Sequence, residues 1–150
     1  MNARFSLASS SGAKNAGMRP ASTLPLMLLL LLMAGSARAA DSSAAAQLQR
    51  FSAAAGAPGQ AERGRSFFVQ RHGGEWACAS CHGQVPSAPG RHAATGKPIA
   101  PLAPAFNPEA FTDGAKVDKW FRRNCKDVLT RECSAAEKAD VLAYLLSLKP

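Results

Sequence analysis

Between Cys78 and Pro108 the chain carries Pro86, Pro89, Pro98, Pro101, Pro104 and Pro108. Each proline fixes its own φ and removes a backbone donor, so no long helix can pass through this stretch. Loops of this length without structure of their own are uncommon in a small domain unless they are functional. The stretch therefore reads as an ordered loop wrapped around something. Outside it the signals are helical, and alternating strand-like runs are absent. Leu48, Phe51 and Ala55 give a helix over Ala44–Ala55, broken by "GAPG" at Gly56 to Gly59. A second helix fits Ala61 to Gln70 and ends at "HGG". A third starts near Asp113 and runs to about Cys125. The last opens on "SAAE", where Ser134 and Glu137 form a capping box, and buries Val141, Leu142, Leu145 and Leu148. The fold class is all-α. Four or so short helices are a small core for so much loop, so a cross-link or a large cofactor should complete it.

The first 39 residues read differently. Arg4, Lys14 and Arg19 make a basic start, "LPLMLLLLLMAG" is an apolar run, and Ala37-Arg38-Ala39 is a cleavage site of small residues. The run is shorter than the ~20 residues of a membrane span. A cleaved signal peptide over residues 1–39 is expected, with export to the periplasm, no membrane anchor afterwards, and one domain over residues 40–150. Removing Arg4, Lys14, Arg19 and Arg38 takes Lys plus Arg from 18 to 14 against 10 acidic residues, a balance of 14 − 10 = +4. No basic run interleaved with aromatics is present, so nucleic acid is not an expected partner. A mild positive field suits solubility or guidance towards an acidic protein.

All four cysteines lie beyond the leader. The sequence "CASCH", Cys78 to His82, matches C-x-x-C-H. Two thiols at this spacing can add to the two vinyl groups of a haem, and His82 then lies under the iron as proximal ligand. A thioredoxin-type motif would need a βαβ context, and a four-cysteine zinc site would leave His82 spare and sits badly with export.

The sixth iron position is the open question. Met1, Met18, Met27 and Met33 all precede the cleavage site, so the mature chain has no methionine to offer. His72 lies too close to the motif to reach the far side, whereas His92, in the loop, could reach it. Asn124 is the stronger choice. At ~100° per residue, Val117, Trp120, Phe121 and Asn124 fall within an arc of ~100°, which puts an amide on the apolar side of the helix. A buried amide without partners costs about 1–3 kcal/mol, so either a core hydrogen bond or the iron should satisfy it. As a weak neutral ligand it could leave and admit a small molecule. Cys125 follows at once and Cys133 comes eight residues later. In an oxidising compartment, with Cys78 and Cys81 taken by haem, these two should pair.

The strings "AAAGAP", "ERGRSFF", "GKPIAPLAP", "FTDGAKVDKWFRRNC" and "EKADVLAYL" resemble the sphaeroides haem protein (SHP) family, a branch of class I c-type cytochromes. The resemblance spans Leu48 to Leu148. It implies one covalent haem c on Cys78 and Cys81, His82 proximal, Asn124 distal in the oxidised state, and a Cys125–Cys133 disulfide. It implies an Asn that moves off on reduction and opens the iron to oxygen, nitric oxide or carbon monoxide. It also implies electrons drawn from a dihaem cytochrome c and a membrane b-type cytochrome. A class I fold further predicts an N-terminal helix crossing the C-terminal one at Gly64, with Phe68 against Tyr144 or Leu145. Trp120 and Phe121 should line the haem pocket. Electron carrier and oxygen-, peroxide- or nitric-oxide-reducing enzyme both remain open, because the sequence fixes no catalytic acid or base; His72 and Arg123 are the groups available.

Overall fold

Ser43 opens the part of the chain described by this computed structural model, residues 43–150; the leader expected over residues 1–39 lies outside the described residues. The Ser43 hydroxyl accepts from the Ala46 N–H at 3.1 Å and starts α1, Ala44–Ala55. Gly56 ends it at φ 67°, a left-handed conformation that costs glycine nothing. Helix α2 covers Ala61–Val69, one residue short of the expected end, because Gln70 has already turned extended. Helix α3 is the short Cys78–His82. Strands β1, Gly90–Arg91, and β2, Pro98–Ile99, form a two-residue antiparallel ladder. Helix α4 covers Gly114–Leu129 and α5 covers Ala135–Ser147.

Both α1 and α2 pack on α5. Phe68, Leu142 and Leu145 are fully buried there, each worth roughly 1.5–3 kcal/mol of apolar transfer. The Phe68 and Tyr144 rings lie 5.5 Å apart. Gly64 makes the crossing close: a Cβ there would sit 1.9 Å from the Asp140 carbonyl oxygen. Polar bonds lock the same crossing. Asp140 accepts from the Gln60 N–H at 2.7 Å and from Arg63 Nε and Nη2 at 2.8 Å each. Burial opposes ionisation of Asp140, yet Arg63 and the Gln60 N–H outweigh it and hold the carboxyl below its ordinary range.

The capping box of α5 is in place. Ser134 Oγ accepts from the Glu137 N–H at 3.2 Å, and Glu137 Oε2 accepts from the Ser134 N–H at 2.7 Å. Two other expectations need correction. Helix α4 does not stop at Cys125 but continues a turn to Leu129, because Val128 and Leu129 extend its buried face. Thr130 then caps it at φ 59°. The Pro-rich stretch is also less bare than expected, since it holds α3 and the β1–β2 ladder. Pro86 is fully buried and its carbonyl accepts from the Leu102 and Ala103 N–H groups at 3.1 and 3.0 Å, which folds the stretch back on itself.

Candidate functional site

The "CASCH" residues form α3, and the Ser80 hydroxyl accepts from the Ala77 N–H at 3.0 Å to start it. One helical turn brings residues three apart onto one side, so the Cys78 and Cys81 thiols can face a common group. Both are free and half-buried. Burial pushes the Cys78 thiol up to about 11, the behaviour of a sulfur in apolar surroundings. The β1–β2 ladder presses on the same turn. A Cβ on Gly90 would lie 2.1 Å from the Cys81 carbonyl oxygen and 3.0 Å from the His82 Cα. The Ala93 N–H approaches Cys81 Sγ at 3.3 Å. From the other side, the Tyr144 hydroxyl donates to the Gln84 carbonyl at 3.2 Å and ties the segment to α5. No pattern in the sequence marks either the Pro86 or the Gln84 carbonyl as a brace, because both act through backbone atoms.

His82 is mostly buried beside Phe68, with ring centroids 6.3 Å apart. Burial lowers its pKa, so the imidazole is neutral and keeps a lone pair for a ligand. Its Nδ1 is buried without a protein hydrogen-bond partner. His92 Nδ1 is in the same condition. Native proteins leave few buried polar atoms unsatisfied, so two imidazoles of this kind in one segment point to a group the protein alone does not supply. His72 is not one of them: its Nε2 meets the Phe67 carbonyl at 2.8 Å, and its ring stacks on Phe67 at 4.3 Å.

Helix α4 supplies the opposite wall. Cys125 and Cys133 are joined by a disulfide with Cα atoms 5.5 Å apart. With Val128 and Leu129 they form a small buried cluster, against which Phe67, Trp76, Cys78 and Phe121 pack. The attachment motif and α4 therefore meet at this cluster. Phe121 also reaches Phe51 of α1, ring centroids 5.5 Å apart. Two of the four sulfurs being bonded to each other, a four-cysteine zinc site is not compatible with the structure. Nor is the thioredoxin arrangement, because no βαβ unit precedes or follows α3 among the described residues.

Asn124 departs from expectation. The helical period puts it on the apolar side of the helix, and the structure leaves it exposed, as it does Trp120 at 48%. The reason lies in how the helix turns. At ~100° per residue, Val117, Phe121, Cys125, Val128 and Leu129 span ~120°, and this is the arc the protein covers. Trp120 and Asn124, one turn apart, lie on the border of that arc. The Asn124 amide makes no hydrogen bond to another described residue. An exposed indole and a free amide in line, beside the cluster that holds Cys78, make a flank that a flat apolar group would cover. Thiols, neutral imidazole, orphaned ring nitrogens and apolar flank are the donor set and surface that a covalent haem requires. The residues present thus fit that group.

A family described as "Domain of unknown function (DUF1924)" matches residues 54–145. The chain is similar to the cytochrome c-type protein SHP of Cereibacter sphaeroides, 47% identical over 71% of this chain and 85% of the relative. Its fold is similar to the structure of oxidised SHP, described as an oxygen-binding cytochrome c: the TM-score is 0.68 at 46% identity, covering 72% of this chain and 99% of the other. The solution structure of cytochrome c'' from Methylophilus methylotrophus, described as giving insight into the structural basis of haem-ligand detachment, matches with a TM-score of 0.64 at 36% identity. That match covers 71% of this chain and 94% of the other.

Proposed function

This chain belongs to the SHP family of c-type cytochromes, and from that premise we propose an exported monohaem protein that transfers electrons and binds a diatomic ligand at an iron position guarded by Asn124. It has the helical cytochrome c fold and carries covalent haem c. When bound, the haem supplies a one-electron iron couple and a sixth position that oxygen, nitric oxide or carbon monoxide can occupy. The chain's own residues do the rest. Cys78 and Cys81 would hold the group, each through one S–C bond to a vinyl carbon, with the thiol proton going to the neighbouring carbon. His82 would hold the iron through its neutral imidazole. Trp120 and Phe121 would flank the haem. Asn124 would hold the oxidised iron through its side-chain amide; being neutral, that amide could leave without a proton to dispose of.

The observation that carries this reading is the exposed Trp120–Asn124 flank beside the cluster on which Cys78 packs. The absence of methionine beyond residue 33 supports it, because no thioether can take the sixth position. So do the relatives, one described as oxygen-binding and one described by haem-ligand detachment. No helix among the described residues is long and apolar enough to cross a membrane. The reading places the mature protein in the periplasm, receiving electrons from a dihaem cytochrome c and a membrane b-type cytochrome. A second reading rests on the buried, unpartnered Nδ1 of His92. In it His92 is the sixth ligand and the protein is a plain low-spin carrier.

Absorption spectra of the purified protein, oxidised and reduced, with and without carbon monoxide, separate the two. The first reading expects a high-spin reduced spectrum that shifts with carbon monoxide. It also expects an Asn124→Ala variant that keeps covalent haem but changes the oxidised spectrum. A reduced low-spin spectrum indifferent to carbon monoxide, abolished by His92→Ala, refutes it in favour of the second.

A further inference from the structure

Helix α4 carries charge that its own folding does not explain. Lys119, Arg122, Arg123 and Lys126 are all exposed, and none forms a salt bridge among the described residues. Their spacings are i, i+3 and i, i+4, the spacings at which side chains on a helix are neighbours. Like charges there destabilise a helix by a few tenths of a kcal/mol per pair. Two other charges of the helix are paired: Asp118 accepts from Arg50 of α1 at 2.8 Å, and Lys116 lies 3.4 Å from Asp113. Asp127, exposed beside Arg123, offsets one of the four cations, so the face carries a net +3. The four remaining cations occupy one arc of the helix, opposite the buried arc and adjoining Trp120. Lys119 and Arg123 each hold their cationic group 5.7 Å from the Trp120 ring centre. The arrangement is an exposed face of four positive charges next to the flank that Trp120 and Asn124 offer the haem.

We infer that this face of α4 is the docking surface for an acidic one-electron carrier protein, which delivers its electron to the iron of this chain. The inference rests on the redox reading above and names the surface that reading lacks. Charge complementarity selects the occupant. A second copy of this chain would present the same cations and be repelled. A compact acidic protein can match four charges spaced over two turns. The step balances simply: one electron leaves the partner's reduced centre, which is oxidised, and the iron of this chain is reduced, with no proton moved. Opposite charges on the two faces raise the encounter rate rather than the final affinity, and salt screens the effect.

The test uses the haem-loaded protein and stopped-flow reduction by an acidic, reduced flavodoxin, with neutral hydroquinone as a reductant that needs no docking. Arg122→Glu/Lys126→Glu reverses two cations on the face without touching Trp120 or Asn124. Arg71→Glu/Lys149→Glu makes the same change in net charge elsewhere on the surface. The proposal expects the first variant to lose tenfold or more in second-order rate constant with flavodoxin at low salt. It expects that loss to vanish in high salt, the hydroquinone rate to stay constant, and the second variant to lose threefold at most. Equal losses in both variants, or none in either, would overturn it. So would a face that leaves flavodoxin kinetics unchanged but whose reversal abolishes binding to phosphatidylserine vesicles or to duplex DNA. A chain that shows no covalent haem absorbance at all overturns both this inference and the function on which it rests.

Discussion

Replacing Gly64 with alanine adds a single methyl group at the crossing of α2 and α5, where two effects of opposite sign compete. In isolation alanine is the better helix former, by ~1 kcal/mol. At this position, however, the new Cβ would meet the Asp140 carbonyl oxygen at 1.9 Å, its carbon at 2.4 Å and the Tyr144 Cβ at 3.0 Å. Non-bonded carbon contacts settle at ~3.5–4.0 Å, so α2 must retreat by roughly 1.5 Å. Backbone cannot rotate aside as a side chain can. The retreat stretches the bonds from Gln60 and Arg63 to Asp140 and loosens Phe68 against Tyr144. Overpacking costs ~1–3 kcal/mol, and a clash with main chain belongs at the upper end, ~3 kcal/mol. The difference leaves Gly64→Ala about 2 kcal/mol less stable. At ~4 °C per kcal/mol for a domain of this size, its melting temperature should fall by ~8 °C. Circular dichroism melts of the oxidised protein measure it, with Ser66→Ala, on the exposed side of the same helix, as the propensity control. A Gly64→Ala variant that melts at or above the parent would mean that the helices do not touch there, and the geometry of the crossing would be wrong.

Two further outcomes follow from the ion pair and the cross-link at the start of α5. The Arg131 guanidinium, with the Ser134 N–H, outweighs partial burial and holds the Glu137 carboxyl at about 2, well below its unfolded value. A depressed carboxylate contributes stability that is full above the unfolded pKa of ~4.3 and is lost as pH falls towards the folded one. After discount for solvent screening, Glu137→Gln should therefore cost about 1 kcal/mol at neutral pH, and the gap from the parent should close near pH 2 in melts run across that range. Removing the disulfide as Cys125→Ser/Cys133→Ser should cost about 2–3 kcal/mol on the chain-entropy account of a short loop. Mass spectrometry should still find haem on the chain; its loss would place Cys125 in the attachment chemistry instead.

Much of this was legible in the residues. The bounds of α1 and the Ser134–Glu137 box follow from local rules of period and capping, and the contact of Gly64 with α5 from the class I fold that the resemblance implies. The end of α4 did not, because Cys125 looks like a natural terminus. The buried face simply runs on through Val128 and Leu129. Helix α3 and the β1–β2 ladder are too short to have a period and exist only through contacts made from elsewhere. Asn124 shows the limit most clearly. Periodicity says which residues share an arc, but not how much of that arc the protein itself covers. Net charge alone does not show the cations beside Trp120 as a face, although helical spacing already aligns Lys119, Arg122 and Arg123 before Cys125.

The α5 hub bears on how the chain comes to be built. Its partners lie far back in sequence: the Gln60 and Asp140 groups that bond at 2.7 Å are 80 residues apart. Closing a loop of that length costs ~4 kcal/mol before any contact forms. Helices α1 and α2 therefore have no core to join until residues 135–147 have been made and delivered. Throughout that interval Cys78, Ala79, Ser80, Cys81 and His82 remain an open segment, accessible to whatever enzyme must thread a haem onto two thiols. The docking of α5, through Tyr144 onto the Gln84 carbonyl, then closes the segment. A haem delivered before that docking meets an open segment, and one delivered after it meets a closed one.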